Sequence, residues 1–157
     1  EATGIALEFL KYLDSTEGQA IVEDEGFVPK TATGPYVKVE GLTGSIKIVG
    51  STTVLPIAQL AAEAFNELYG ADLVAVSGGG SSVGVQSVGE GSADIGMASR
   101  ELKSSETTTY PSLEKHIVCN DGIAVIIHPE NTYVQDLTLE EVKQIYEGTY
   151  TNWDELE

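Results

Sequence analysis

Positive charge is scarce in this 157-residue chain: 8 Lys+Arg stand against 25 Asp+Glu, a formal net charge of −17. So acidic a surface repels phosphodiester backbones and anionic headgroups, which sets aside nucleic acid and anionic membranes as partners. Long apolar runs are missing too, and none approaches the roughly 18–20 residues of a membrane-spanning helix. Cys119 is the single cysteine, so an intrachain disulfide and a cysteine-based metal cluster are both excluded. No lysine follows Gly78-Gly79-Gly80, which rules out a nucleotide-type phosphate loop, and the dinucleotide fingerprint spacing is lacking. Glu23-Asp24-Glu25 has no calcium-loop pattern and reads as a solvated helix end. No cofactor and no metal is therefore expected.

What is present is enough for one folded domain. Hydrophobic residues make up 41% of the chain, and the mean hydropathy of −0.02 is that of a globular protein. The chain opens on Glu1 with no initiator Met and no apolar leader, and Thr151-Asn152-Trp153-Asp154-Glu155-Leu156-Glu157 reads as the interior of a sentence. A piece of a longer protein is the expectation.

Ile5, Phe9, Leu10 and Leu13 recur at helical spacing, and Asp14-Ser15-Thr16-Glu17 offers caps for a second helix that stops at Gly26. Residues 31–44 are rich in Thr, Gly and Pro and form the best linker. From Ser45 onward strands and helices alternate. Ile46, Ile48 and Val49 begin a strand that ends at Gly50-Ser51-Thr52-Thr53. A helix with Ile57, Leu60, Ala61, Ala64, Phe65 and Leu68 on one face follows, with Pro56 in its first turn. Strand 73–76 ends at Ser77-Gly78-Gly79-Gly80-Ser81-Ser82, and a short helix through Val85 and Val88 leads to strand 94–98, which ends at Ser99-Arg100. A polar loop (103–112) precedes a long apolar strand over 117–127, centred on Ile123–Ile127. A capping box at Thr138–Glu141 opens a last helix, closed by Gly148. The alternation predicts an α/β fold: a doubly wound lobe with a mostly parallel sheet flanked by helices.

Three consecutive strands thus end in hydroxyl-rich turns that lead into helices or helical turns. In open α/β sheets ligands bind beyond the carboxyl ends of the strands, where free helix N–H groups converge. Arg100, the only arginine, sits at the third such end, and its planar fork of donors suits an oxyanion. Taken singly, each cluster is also explained as a helix cap, and a lone Arg as a solvated side chain. Gly80-Ser81-Ser82-Val83-Gly84 matches a nucleophile-elbow pattern with Ser82 as nucleophile, but the pattern is weakly specific and His116 and His128, the only histidines, read as surface residues. Binding is favoured over hydrolysis.

Residues 44–157 resemble the N-terminal part of the phosphate-binding proteins of ABC phosphate-uptake transporters. The likeness is carried by Gly50-Ser51-Thr52-Thr53-Val54-Leu55-Pro56, Gly78-Gly79-Gly80-Ser81-Ser82-Val83-Gly84 and Ala93-Asp94-Ile95-Gly96-Met97-Ala98-Ser99-Arg100-Glu101-Leu102-Lys103. Asp121-Gly122-Ile123-Ala124-Val125, Leu137-Thr138-Leu139-Glu140 and Thr151-Asn152-Trp153 complete it. Such proteins have two α/β lobes of the periplasmic-binding-protein type with the anion between them. The resemblance implies phosphate contacts from Thr52, Thr53, Ser81, Ser99 and Arg100, with Ser51 a weaker candidate. Some relatives use an Asp to accept the proton of hydrogen phosphate, and Asp121 is the candidate for that role.

Residues 1–30 resemble the same family's C-terminal helices, so tail precedes head. A junction of tandem copies and a circular permutation both give that order. The implied organisation is tail helices packing on the lobe (1–30), a connection (31–43), the first-lobe core (44–128) and a truncated start of the second lobe (129–157). The expected function is inorganic phosphate binding, as the solute-binding component of an ABC importer with a partial site, and not an enzyme. The alternatives are a structural or self-associating lobe without ligand affinity, or a binder of another oxyanion such as sulfate or molybdate. Implied partners are inorganic phosphate, the transporter permease for the full-length protein, and a second copy of the chain at an exposed sheet edge. The parent protein is expected to be extracytoplasmic, periplasmic or anchored at the cell surface.

Overall fold

Strands of three to five residues cannot stand alone, and here three of them solve the problem by pairing in parallel around a central member. The computed structural model describes residues 2–122 and 124–156. The chain divides into two units, Glu1–Gly122 and Ile123–Glu157. In the first, β2 (Ile46–Gly50) lies between β3 (Val74–Gly78) and β4 (Ile95–Met97), and both neighbours run parallel to it. Helices α3 (Leu55–Tyr69) and α4 (Ser81–Gly89) make the two crossovers. The first leads from β2 to one neighbour and the second carries the chain across to the other, so the connections diverge at β2.

Alternation along β2 feeds two cores. Ile46 and Ile48 are buried with Ile57, Ala58, Ala61, Ala62 and Phe65 of α3, and with Ile5, Phe9, Tyr12 and Leu13 of α1 (Gly4–Asp14). Leu60 and Leu68 of α3, expected on the buried face, are 40% and 42% exposed. The stripe is centred on 57/61/65 with 58 and 62 beside it, because α1 and the sheet close on it from adjacent sides. On the opposite sheet face α4 sits against the β2–β4 seam so closely that a Cβ on Gly84 would lie 2.6 Å from the Met97 carbonyl oxygen. Only glycine allows that approach.

Helix α2 (Thr16–Asp24) starts at Ser15, whose Oγ accepts from the Gly18 N–H at 3.2 Å. It ends in a Schellman turn: Phe27 N–H donates to the Val22 carbonyl, Gly26 N–H to that of Glu23, and Gly26 takes φ +81°. Residues 31–43 are irregular yet tightly held. Thr33 N–H donates to the Asp14 carbonyl, Tyr36 N–H to the Glu17 carboxylate, and the Tyr36 and Tyr69 hydroxyls are 2.8 Å apart.

Two expectations differ from the structure. The 103–112 loop contains a helical turn, α5 (Ser104–Thr109), closed by Thr side chains that donate back to the Ser104 and Ser105 carbonyls. The long apolar strand is reduced to β5 (Cys119–Asn120), antiparallel to β1 (Val28–Pro29). Pro29 cannot donate to a ladder, so β1 offers only a brief template. Val125 and Ile126 are exposed, and no strand among the described residues pairs with them. Glu1, Ile123 and Glu157, which fall within the expected segments 1–30, 117–127 and 129–157, lie outside the described residues.

The second unit holds α6 (Leu139–Glu147) and a 3-10 turn (Trp153–Glu155). The capping box is formed: Thr138 N–H donates to Glu141 Oε2 at 2.7 Å, and Thr138 Oγ1 accepts from Glu141 N–H at 3.2 Å. The Thr138 hydroxyl, which donates to Glu141 Oε2 at 2.6 Å, and then the Thr138 N–H hold the Glu141 carboxyl below its usual range. No helix among the described residues is long and apolar enough to cross a membrane.

Candidate functional site

The three parallel strands stop in register, with Gly50 opposite both Gly78 and Met97. Their outgoing turns lie side by side at the point where the crossovers diverge, the usual place for a ligand in an open α/β sheet. Backbone bonds tie the turns together: Ser51 N–H donates to the Met97 carbonyl at 2.9 Å and Gly80 N–H to that of Gly50 at 2.8 Å. Ser51 itself is buried. Its Oγ accepts from the Thr53 and Val54 N–H groups at 3.2 and 3.4 Å, so it shapes the turn from within. That turn leaves Thr52 and Thr53 exposed, and the Thr52 methyl lies alongside Gly78 at the end of β3.

Gly80 caps α4 with a positive φ of +88° and supplies no side chain. Gly84 N–H closes the first turn onto the Gly80 carbonyl. Among the described residues the N–H groups of Ser81, Ser82 and Val83 have no internal acceptor, so they are free for a ligand or water. Ser81 Oγ accepts from the Ser99 N–H at 3.2 Å and lies 3.3 Å from Ser99 Oγ, which locks the α4 N-terminus to the turn after β4.

Arg100 is held on several sides. Nη1 donates to Glu106 Oε2 at 2.8 Å and to the Glu101 carbonyl at 3.0 Å. Nη2 donates to Glu106 Oε1 at 2.7 Å and to Ser82 Oγ at 3.0 Å. Glu106 also accepts from Lys103 N–H at 2.8 Å, which anchors it at the start of α5. The Arg100 guanidinium, then the Lys103 N–H, hold the Glu106 carboxyl at about 2. Its folded-state value is depressed, so its stabilising effect is complete above about pH 4.5 and is lost as pH falls through about 2. Acid unfolding should show this: the stability gap between wild type and Glu106→Gln closes over that interval.

Of the sequence-derived candidates, Thr52, Thr53, Ser81, Ser99 and Arg100 thus occupy adjoining turns at one end of the sheet. Asp121 is placed after β5, exposed, and its Oδ1 accepts from the Gly122 N–H. No hydrogen bond among the described residues joins it to the other five. Two members went unforeseen. Ser82, part of the hydroxyl-rich turn but singled out in the sequence as a nucleophile, accepts from Arg100 through its Oγ, and neither His hydrogen-bonds to it among the described residues. Glu106 was passed over inside a polar loop. The available signal was an acid six residues beyond the lone arginine, within reach once the turn folds back. Among the described residues no group of three or more His, Cys, Asp or Glu is placed to hold a metal ion.

A turn cluster of hydroxyls, free helix N–H groups and one guanidinium can surround a small oxyanion with donors. The PBP superfamily domain matches residues 36–157. The chain is 36% identical over 149 residues to the phosphate-binding protein PstS 2 of Streptococcus agalactiae, covering 95% of this chain and 50% of that protein. Against the phosphate-binding protein PstS of Bacillus subtilis it is 33% identical over 117 residues, 74% of this chain and 39% of that one. A crystal structure of a phosphate-binding protein of a phosphate ABC transporter from Streptococcus pneumoniae superposes with TM-score 0.84 at 32% identity, over 99% of this chain and 59% of that one. A substrate-binding protein of a putative phosphate ABC transporter from Clostridium perfringens, solved with bound phosphate, gives TM-score 0.56 at 41% identity, over 72% of this chain and 45% of that one. The chain therefore spans about half the length of the curated relatives it matches. With the domain match running through the parallel sheet and the residues that follow it, the chain belongs to the PBP superfamily.

Proposed function

We propose that this chain supplies one lobe's share of an inorganic phosphate site, in a protein that serves as the solute-binding component of an ABC importer. The observation that carries the reading is the convergence of three parallel strand ends on one set of donors: Thr52 and Thr53, the open N–H groups and Ser81 at the start of α4, and Ser99 with Arg100. Relatives named as phosphate-binding proteins, one of them solved with phosphate bound, support the choice of phosphate among oxyanions. The role is binding and not catalysis, since Ser82 is engaged by Arg100 and not by a histidine base. The parent protein is extracytoplasmic and its protein partner is the permease. Asp121 enters the site as proton acceptor only when the ligand is enclosed by the second lobe.

Half of a clamp binds weakly, because water still competes for every donor. Titration calorimetry of this chain with inorganic phosphate is expected to give a dissociation constant on the order of 1 mM, and Arg100→Ala is expected to abolish the signal. Wild-type affinity in the Arg100→Ala variant removes Arg100 from the site, and stronger competition by sulfate or molybdate reassigns the ligand. Among the described residues no strand pairs with the outer edge of β3 or of β4, so light scattering provides the check on self-association.

A further inference from the structure

We propose that Glu106 is a positioning residue for oxyanion recognition: its carboxylate occupies the terminal fork of Arg100, so that the guanidinium meets the ligand with its edge beside Ser82, as half of a neutral pair. This deepens the reading of the three turns as an oxyanion site and rests on it.

The geometry is specific. Both terminal nitrogens of Arg100 donate to Glu106, at 2.8 and 2.7 Å, a bidentate pairing that fixes the plane of the guanidinium. The pair is largely sheltered, with the side chains 29% and 15% exposed. Glu106 is itself anchored by the Lys103 N–H, and Arg100 by the Glu101 carbonyl, so neither partner is a loose surface charge. Glu101, the nearer acid in sequence, turns away and pairs with Lys115 at 2.9 Å. Among the described residues Glu106 is thus the only carboxylate on Arg100. The fork that would grip an anion head-on is already filled. What remains is a guanidinium edge joined to Ser82 Oγ at 3.0 Å, next to the open N–H groups of α4.

Two consequences follow. First, ligand is gathered by hydrogen-bond donors set in place beforehand and not by an excess positive charge, which suits a chain of net charge −17. Second, removing the carboxylate frees the guanidinium to move while unmasking its charge. The two effects oppose each other at low salt and separate at high salt, where screening removes the attraction of the bare charge.

The test is a titration of the full chain with inorganic phosphate, followed through the backbone amide resonances of Ser81, Ser82 and Ser99 at low and high ionic strength. Wild type is expected to bind with little salt dependence. Glu106→Gln should bind about tenfold more weakly at high salt, the scale of one charge-assisted contact, with the gap narrowing at low salt. Glu106→Asp keeps the charge and shortens the reach, so it should weaken binding at both salt levels while retaining the wild-type salt response. That second variant decides the matter if the Gln variant does not fold. Wild-type affinity and salt response in both variants overturn the role of Glu106 and leave the oxyanion site standing. Absence of any phosphate-dependent shift in wild type overturns the oxyanion reading, and this inference with it.

Discussion

Phe65→Ala is expected to destabilise the chain by about 3–5 kcal/mol, the usual cost of emptying a buried aromatic position. Phe65 is fully buried and forms the hub of an aromatic cluster, with ring centroids 5.6 Å from Phe9, 5.6 Å from Tyr12, 6.0 Å from Tyr36 and 4.7 Å from Tyr69. Those partners come from α1, the 31–43 segment and α3, so one ring joins residues far apart in the chain. The cluster cannot collapse into the vacancy. Phe9 is held by α1, and Tyr36 by its hydroxyl contacts to Tyr69 and Glu8. Chemical denaturation followed by circular dichroism measures the effect. A loss below about 1 kcal/mol, the cost of a half-exposed side chain, would contradict the packing of α1 and the linking segment onto α3.

Gly84→Val should cost about 3 kcal/mol or more, by forcing overpacking against backbone that has no room to move. A Cβ at position 84 would lie 2.6 Å from the Met97 carbonyl oxygen, 2.8 Å from that of Val49 and 2.9 Å from Gly50 Cα. All three belong to the ends of β2 and β4, beneath the candidate site. The strands are held by their ladder, so α4 must lift, and Ser81 and Ser82 lift with it. The Ser81–Ser99 contact and the alignment of open N–H groups would go together. Thermal denaturation should register the stability loss, and phosphate-dependent amide shifts should vanish at temperatures where the variant is still folded. A variant of wild-type stability would mean that α4 does not sit on the β2–β4 seam.

Much of this was legible in the sequence because local signals agreed with the fold. The doubly wound α/β reading follows from strand–helix alternation, and the ends of β2, β3 and β4 were marked by Gly, Ser and Thr. Ser15, Gly26, Thr138 and Gly148 punctuate helices as their chemistry requires. What escaped the sequence depended on partners distant along the chain. The apolar stretch 117–127 looked like a strand, but a strand exists only where a ladder is offered, and β1 offers two residues, one of them Pro29. The face of α3 was misread at Leu60 and Leu68 because periodicity gives a stripe but not which neighbours flank it. Glu106 was hidden for a similar reason: its importance lies in the fold-back of α5 onto Arg100, which nothing in the Ser104–Thr109 composition announces. The reading of Arg100 as an open fork also changes, since that fork is spent on Glu106 and only the Ser82 side faces the other donors.

The central claim is that these three turns form one oxyanion site. It is tested most directly by titrating the isotopically labelled chain with inorganic phosphate and following every backbone amide. The account predicts weak, saturable binding, on the order of 1 mM, with the largest shifts at Thr52, Thr53, Ser81, Ser82, Ser99 and Arg100. Shifts confined elsewhere, or submicromolar binding by the monomeric chain, would contradict it.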